Sequence, residues 1–117
     1  MATGMQINST AIPSPMDERG VYVFAVPVLS RNGRGAAIAA PYATLTWQFD
    51  YLTLTELAWW VTTLLGGALS GEYTQAKFFN HLGTLTTYTH CIVQRPTYSR
   101  FQDGLAWDVT VQIDWIY

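Results

Sequence analysis

The chain has 117 residues, of which six are basic and eight acidic, for a net charge of −2. Only 12% of it is charged, against about 25% in an average soluble domain, while half is hydrophobic and 15% aromatic. That balance excludes disorder away from the ends, a basic nucleic-acid-binding face at a pI near 5.4, and a membrane helix, because no run of about 18 apolar residues occurs.

Threonine, with 15 copies, takes the place of charge. A folded monomer of this mass exposes roughly 6,000 Å², which so few charges cover thinly. Either that surface is hydroxyl and amide, or other molecules cover it. The single cysteine, Cys91, has no internal disulfide partner. The first twenty residues lack the basic start and apolar stretch of a secretory signal. Folding in a reducing cytoplasm is expected.

Residues 1–20 read as an arm, disordered alone or extended against a partner. Met1–Ser14 is small and polar, and Pro13 and Pro15 interrupt regular structure. Residues 21–117 read as a single β-rich domain. Val21–Leu29 is a strand apolar on both faces, with Pro27 marking an edge or bulge. Ser30–Gly35 contains Asn32-Gly33, a strong turn signal. Ala43–Tyr51 alternates, with Ala43, Leu45, Trp47, Phe49 and Tyr51 facing inward and Thr44, Thr46, Gln48 and Asp50 outward.

A helix follows at about 54–65. Thr53 and Glu56 form a capping box, and Gly66-Gly67 ends it. Leu54, Leu57, Ala58, Val61, Leu64 and Leu65 make its apolar stripe. Trp60 falls at the edge of that stripe. Trp59 falls on the opposite, polar face with Thr55, Glu56, Thr62 and Thr63.

Glu72–Phe79 is a short strand or helical turn, and Asn80–Gly83 a turn. Thr84–Arg95 is a threonine-rich β segment. Gln102-Asp103-Gly104 turns the chain into a final strand, Trp107–Tyr117. There Trp107, Val109, Val111, Ile113, Trp115 and Tyr117 share one face, and only Ile116 breaks the polar one. The sequence ends within this strand, so that end is expected to be tied into a sheet.

Chemistry-bearing patterns are sparse. His81, His90, Cys91 and Glu72 do not have the spacing of a zinc site. Cys91 reads as a buried core residue, and His90 beside it points to the other face of a strand. Ser70 and Ser99 lack the glycine context of a nucleophile. Asp108 and Asp114 share a strand face ~20 Å apart at 3.3 Å per residue, too far for paired carboxylate catalysis. No phosphate-binding loop occurs. These residues predict no catalytic centre, no cofactor and no metal.

The remaining candidates are surfaces. Arg31-Asn32-Gly33-Arg34-Gly35 is the only basic cluster and reads as a contact loop or a solvated tip. Trp59 on a hydroxyl-rich helix face suggests an interface, as tryptophan is enriched there, or cover by a loop of the same chain. Lys77 is the only lysine, so sheet edges lack their usual guard against pairing with another chain. The predicted interface residues are Arg31, Asn32, Arg34, Trp59, Thr62, Thr63 and Trp115, together with the polar faces of the strands at 43–51 and 107–117.

Two stretches carry a family resemblance. Leu45-Thr46-Trp47-Gln48-Phe49-Asp50-Tyr51-Leu52-Thr53 runs straight into the helix with Glu56, and Arg95-Pro96 is followed by a hairpin and a long strand from Gly104 to Ile113. Residues 21–117 thereby resemble the small tail-tube and tail-connector proteins of tailed bacteriophages, related to the inner tubes of contractile injection systems. The resemblance implies an antiparallel β-sandwich or barrel-like domain with one flanking helix. It implies a virion structural protein, assembled in the host bacterial cytoplasm into rings, usually sixfold, alongside other virion proteins. It makes the 1–20 arm and the Arg31–Gly35 loop inter-subunit or inter-ring contacts. The alternatives are a capsid or head decoration protein and, from another class, a carbohydrate- or small-ligand-binding β-sandwich stacking ligands on Trp59, Trp115 or Tyr98. Neither specific nucleic-acid binding nor membrane association is expected.

Overall fold

The computed structural model describes residues 5–8, 10–13, 20–26, 28–31, 33–39, 42–80 and 82–117, with backbone alone at 28–31 and 37–39. The fold is mainly β, sandwich-like and not a closed barrel. Alternating apolar residues drive it, because each strand must bury one face against another layer.

Five strands form the main path of the larger, antiparallel sheet. They are β3 (Val21–Ala25), β6 (Ala43–Thr53), β12 (Leu105–Ile116), β10 (Cys91–Gln94) and β7 (Ser70–Tyr73), in that spatial order. A sixth, β11 (Arg100–Gln102), pairs with β12 through the Asp103-Gly104 turn. Both turn residues have positive φ, 56° and 73°, as a tight hairpin requires.

The smaller sheet runs β2 (Thr10–Ala11), β1 (Gln6–Ile7), β8 (Ala76–Phe79), β9 (Leu85–Tyr88). The stretch read as part of an arm therefore forms strands at 6–7 and 10–11, but against its own chain. Gln6 and Ile7 pair with Lys77 and Ala76, and Met5, Ile7 and Ile12 are buried in the core. Residues 1–4, 9 and 14–19 of that stretch lie outside the described residues.

One core joins the layers. Leu45, Trp47, Phe49, Val109, Val111, Ile113, Cys91 and Val93 share it with Ile7, Ala76 and Phe78. Trp47 is its hub, meeting Tyr22 edge-on at 5.6 Å, Phe49 at 5.1 Å and Trp60 at 6.3 Å. Between the sheets, Phe24 of β3 stacks on Tyr88 of β9 at 5.7 Å.

The helix differs from the regular one expected. The capping box is present: Glu56 N–H donates to Thr53 Oγ1 and Thr53 N–H to Glu56 Oε1. Only Leu54–Ala58 (α1) is α-helical, and Trp59–Leu64 continues as a π-helix, with Leu65 N–H bonded to the Trp60 carbonyl five residues back. Wider π turns advance each residue by less than an α-helix does, so the buried side rotates. Trp60 becomes the anchor, fully enclosed, while Leu54 at the head of the predicted stripe is 57% exposed.

Strand β12 also departs from strict alternation. Asp108 and Trp115 have φ of 54° and 53°, a left-handed conformation that interrupts the pleat and shifts side-chain phase, as in a β-bulge. At the first, Ala106 and its partner Leu52 are buried, while Trp107 and Tyr51 are only half-buried. At the second, the pairing of β12 with β6 slips between Ile113 and Ile116. Ile116 turns inward, and Trp115 and Tyr117, read as sharing a face with Val111 and Ile113, are exposed.

Between β3 and β6 the chain makes a separate hairpin, β4 (Val28–Arg31) and β5 (Ala37–Ala39), a two-stranded sheet of its own.

Candidate functional site

The predicted interface residues fall on three separate elements. Arg31 ends β4, opposite Ala37, and Gly33, Arg34 and Gly35 are exposed at the hairpin tip. Asn32 lies outside the described residues, as do Pro27, Pro15 and His81. Thr62 and Thr63 are exposed on the π-helical segment. Trp59 is half-buried and stands perpendicular to Trp60 at 4.9 Å. It packs against the core, and its neighbour Trp60 provides part of its cover. Trp115 closes β12, 48% exposed, with its ring 4.1 Å from that of Tyr42.

The larger sheet adds a surface that sequence reasoning located only by the absence of lysine. Its terminal strands, β3 and β7, carry no further strand among the described residues. Val21 and Val23 project from β3 at 70% and 61% exposure, while Tyr22 and Phe24 turn inward. Behind them the outer face of β6 presents hydroxyl and amide, where Val21 pairs with Gln48 and Val23 with Thr46. Thr46 Oγ1 donates to Gln112 Oε1 at 2.7 Å, and Gln112 Nε2 to Asp114 Oδ1 at 2.8 Å. These amides and hydroxyls satisfy one another and end on the Asp114 carboxylate, which leaves the face polar with no basic group in the network. Lys77 lies on β8, in the other sheet.

The polar candidates for chemistry stay apart. Cys91 is buried, and desolvation pushes its thiol up to about 12, so it is not a ready nucleophile. His90 faces away from it: Nδ1 donates to the Trp115 carbonyl at 2.7 Å, and Nε2 lies 3.4 Å from Glu72 Oε2. Asp108 does not work with Asp114. The register of β12 with β6 sets it across the strand pair from Asp50, the two flanking a hollow of about 220 Å³ with Gln48 and Thr110, and Ser99 Oγ donates to Asp108 Oδ2 at 2.9 Å. Among the described residues, no group of three or more His, Cys, Asp or Glu could hold a metal ion. No helix among the described residues is long and apolar enough to cross a membrane.

Burial also perturbs three tyrosines. Tyr22, Tyr73 and Tyr88 have hydroxyl pKa values raised by desolvation. Tyr73 donates to the Leu64 carbonyl at 2.6 Å, tying β7 to the end of the π-helical segment, a structural task. Arg95 Nη2 likewise donates to the Gly67 carbonyl at 2.7 Å, where a cation suits a helix C-terminus.

No protein-family model matches the chain, and neither a curated protein nor a solved structure matches it.

Proposed function

We propose that this chain is a non-enzymatic structural protein of a tailed-bacteriophage virion, a ring-forming tail-tube or tail-connector component. The observation that carries the reading is the open larger sheet. Among the described residues its two terminal strands pair with no further strand and carry no lysine, and one of them exposes Val21 and Val23. Unprotected apolar edges invite strand pairing with another chain.

The sheet geometry also favours a ring. Four antiparallel steps separate β3 from β7, so the two edge strands run in the same direction. A copy whose β7 meets the β3 of the next makes a head-to-tail contact, and such contacts close into a ring when the rotation permits. The projecting β4–β5 hairpin then reaches a neighbouring subunit or ring, as the layout resemblance implies, with other virion proteins at the ends of the assembly.

Light-scattering mass measurement with negative-stain imaging tests this. Rings or tubes are expected, and Val23→Lys should shift the mass toward the monomer by placing a charge on the joining edge. A strict monomer at tens of micromolar, with no rings on the grid, would overturn the reading.

A further inference from the structure

A row of aromatic rings crosses one end of the larger sheet on its outer face. The buried neighbours fix its side. Ala43, Ile116 and Cys91 point into the core, so Tyr42, Tyr117 and His90 beside them point out. Glu72 lies outward on β7, opposite Ile92. The row therefore runs from β6 through β12 and β10 to β7. At roughly 4.8 Å between strands, three steps span ~14 Å.

The rings are fixed in place. Trp115 packs on Tyr42 at 4.1 Å, and Tyr117 on His90 at 4.5 Å with planes 20° apart. Trp115 and Tyr117 still leave 48% and 55% of their surface open. A tryptophan at φ 53° is an uncommon conformation for a bulky side chain. The strand end around it is stapled: Thr89 and His90 N–H both donate to the Tyr117 carbonyl, and Tyr117 N–H donates to that of His90. His90 Nδ1 adds a bond to the Trp115 carbonyl. Strain held this firmly is characteristic of ligand-contacting positions.

The chemistry around the rings narrows the ligand. Glu72 and His90 Nε2 offer hydrogen-bonding groups at one end, and Asp114 lies near on the same face opposite Ile92. The row contains no Arg or Lys, so carboxylates set its charge. Phosphate-bearing ligands such as nucleic acid are repelled. A dry protein–protein contact disfavours carboxylates at its centre. A pyranose presents a flat C–H face to an aromatic ring and hydroxyls at its rim. We infer that this strip binds a neutral oligosaccharide, with Trp115 and Tyr117 as stacking platforms and Glu72 and His90 receiving hydroxyls. The inference is independent of the assembly reading.

Titration of the full chain with cellohexaose, chitohexaose and maltohexaose, followed by tryptophan fluorescence and calorimetry, is the test. Saturable binding of at least one is expected. Trp115→Gly should weaken it by at least about tenfold, because glycine accepts the positive φ and keeps the backbone while removing the platform. An unchanged urea midpoint checks that the variant is folded, and Phe101→Ala, at the opposite end of β12 where Phe101 pairs with Ala106, should bind as the parent does. The inference fails if none of the three sugars binds at millimolar concentration, or if binding survives Trp115→Gly. It also fails if Trp115→Gly lowers the assembled mass and no sugar competes for the strip, since a second copy then covers it; the assembly reading would stand in that case.

Discussion

Trp60→Ala and Leu54→Ala form a matched pair that tests the helix described above. Trp60 is fully enclosed, edge-on to Trp47 at 6.3 Å and perpendicular to Trp59 at 4.9 Å. Truncating an enclosed tryptophan costs about 3–5 kcal/mol, and the rigid rings around it leave little scope for collapse. Leu54 is 57% exposed, and surface changes of that kind fall within about 0.5 kcal/mol. In urea, at a slope of roughly 2 kcal/mol/M, Trp60→Ala should lower the midpoint by ~1.5–2.5 M, while Leu54→Ala leaves it within ~0.3 M. A regular α-helix through residue 65 reverses that order, with Leu54 on the buried stripe and Trp60 at its margin. A cost below about 1 kcal/mol for Trp60→Ala, or a larger one for Leu54→Ala, would refute the π-helical phase.

Three further outcomes follow from the burial pattern. Cys91, buried and with its thiol pushed up to about 12 from 9.0, should react with a thiol reagent at pH 8 only after unfolding. Because its folded pKa is the higher, its contribution to stability holds below pH 9 and is lost as pH rises from about 9 toward 12; Cys91→Ser should flatten that part of the pH–stability curve. Trp59→Ser should weaken assembly in light scattering while retaining cooperative unfolding, because Trp59 is only partly buried, at the margin of the core; unchanged assembly removes Trp59 from the interface. Deleting residues 113–117 removes Ile113 and Ile116 from the core together with the bonds of Tyr117 to Thr89 and His90; soluble, cooperative folding of that truncation would contradict the role given to the end of β12.

Much of the architecture is legible wherever local chemistry and tertiary packing agree. The alternation from Ala43 to Phe49 places those side chains correctly, and the Thr53–Glu56 box marks the helix start because both partners are local. What the pattern misses are places where one residue changes the phase of all that follow. Asp108 and Trp115 take left-handed φ without being glycine, so nothing in the residue type announces the shift. The signal is indirect: Ile116, apolar in a polar row, is buried because the bulge before it moves it inward. Residues 5–12 are missed for another reason. Two short strands have little periodicity of their own, and it is the edge of β8 that gives them a partner. Trp115 is legible as a candidate by residue type, but its row with Tyr42, Tyr117, His90 and Glu72 spans four strands and exists only once the register is set. The exposed Val21 and Val23 are invisible for a similar reason, since a strand apolar on both faces does not say which face goes uncovered.

The β4–β5 hairpin leaves the larger sheet after Ala25 and returns by Ala43, and Ala25 pairs with Thr44. The excursion therefore begins and ends at neighbouring points on two strands already zipped together. Its two strands pair with each other, and the named pairings of β3 with β6 do not depend on its length. Reach and core stability are thus encoded by different residues. Each residue added to both arms extends the tip by ~3.3 Å without displacing a core side chain, so the distance this molecule spans is an independently adjustable dimension.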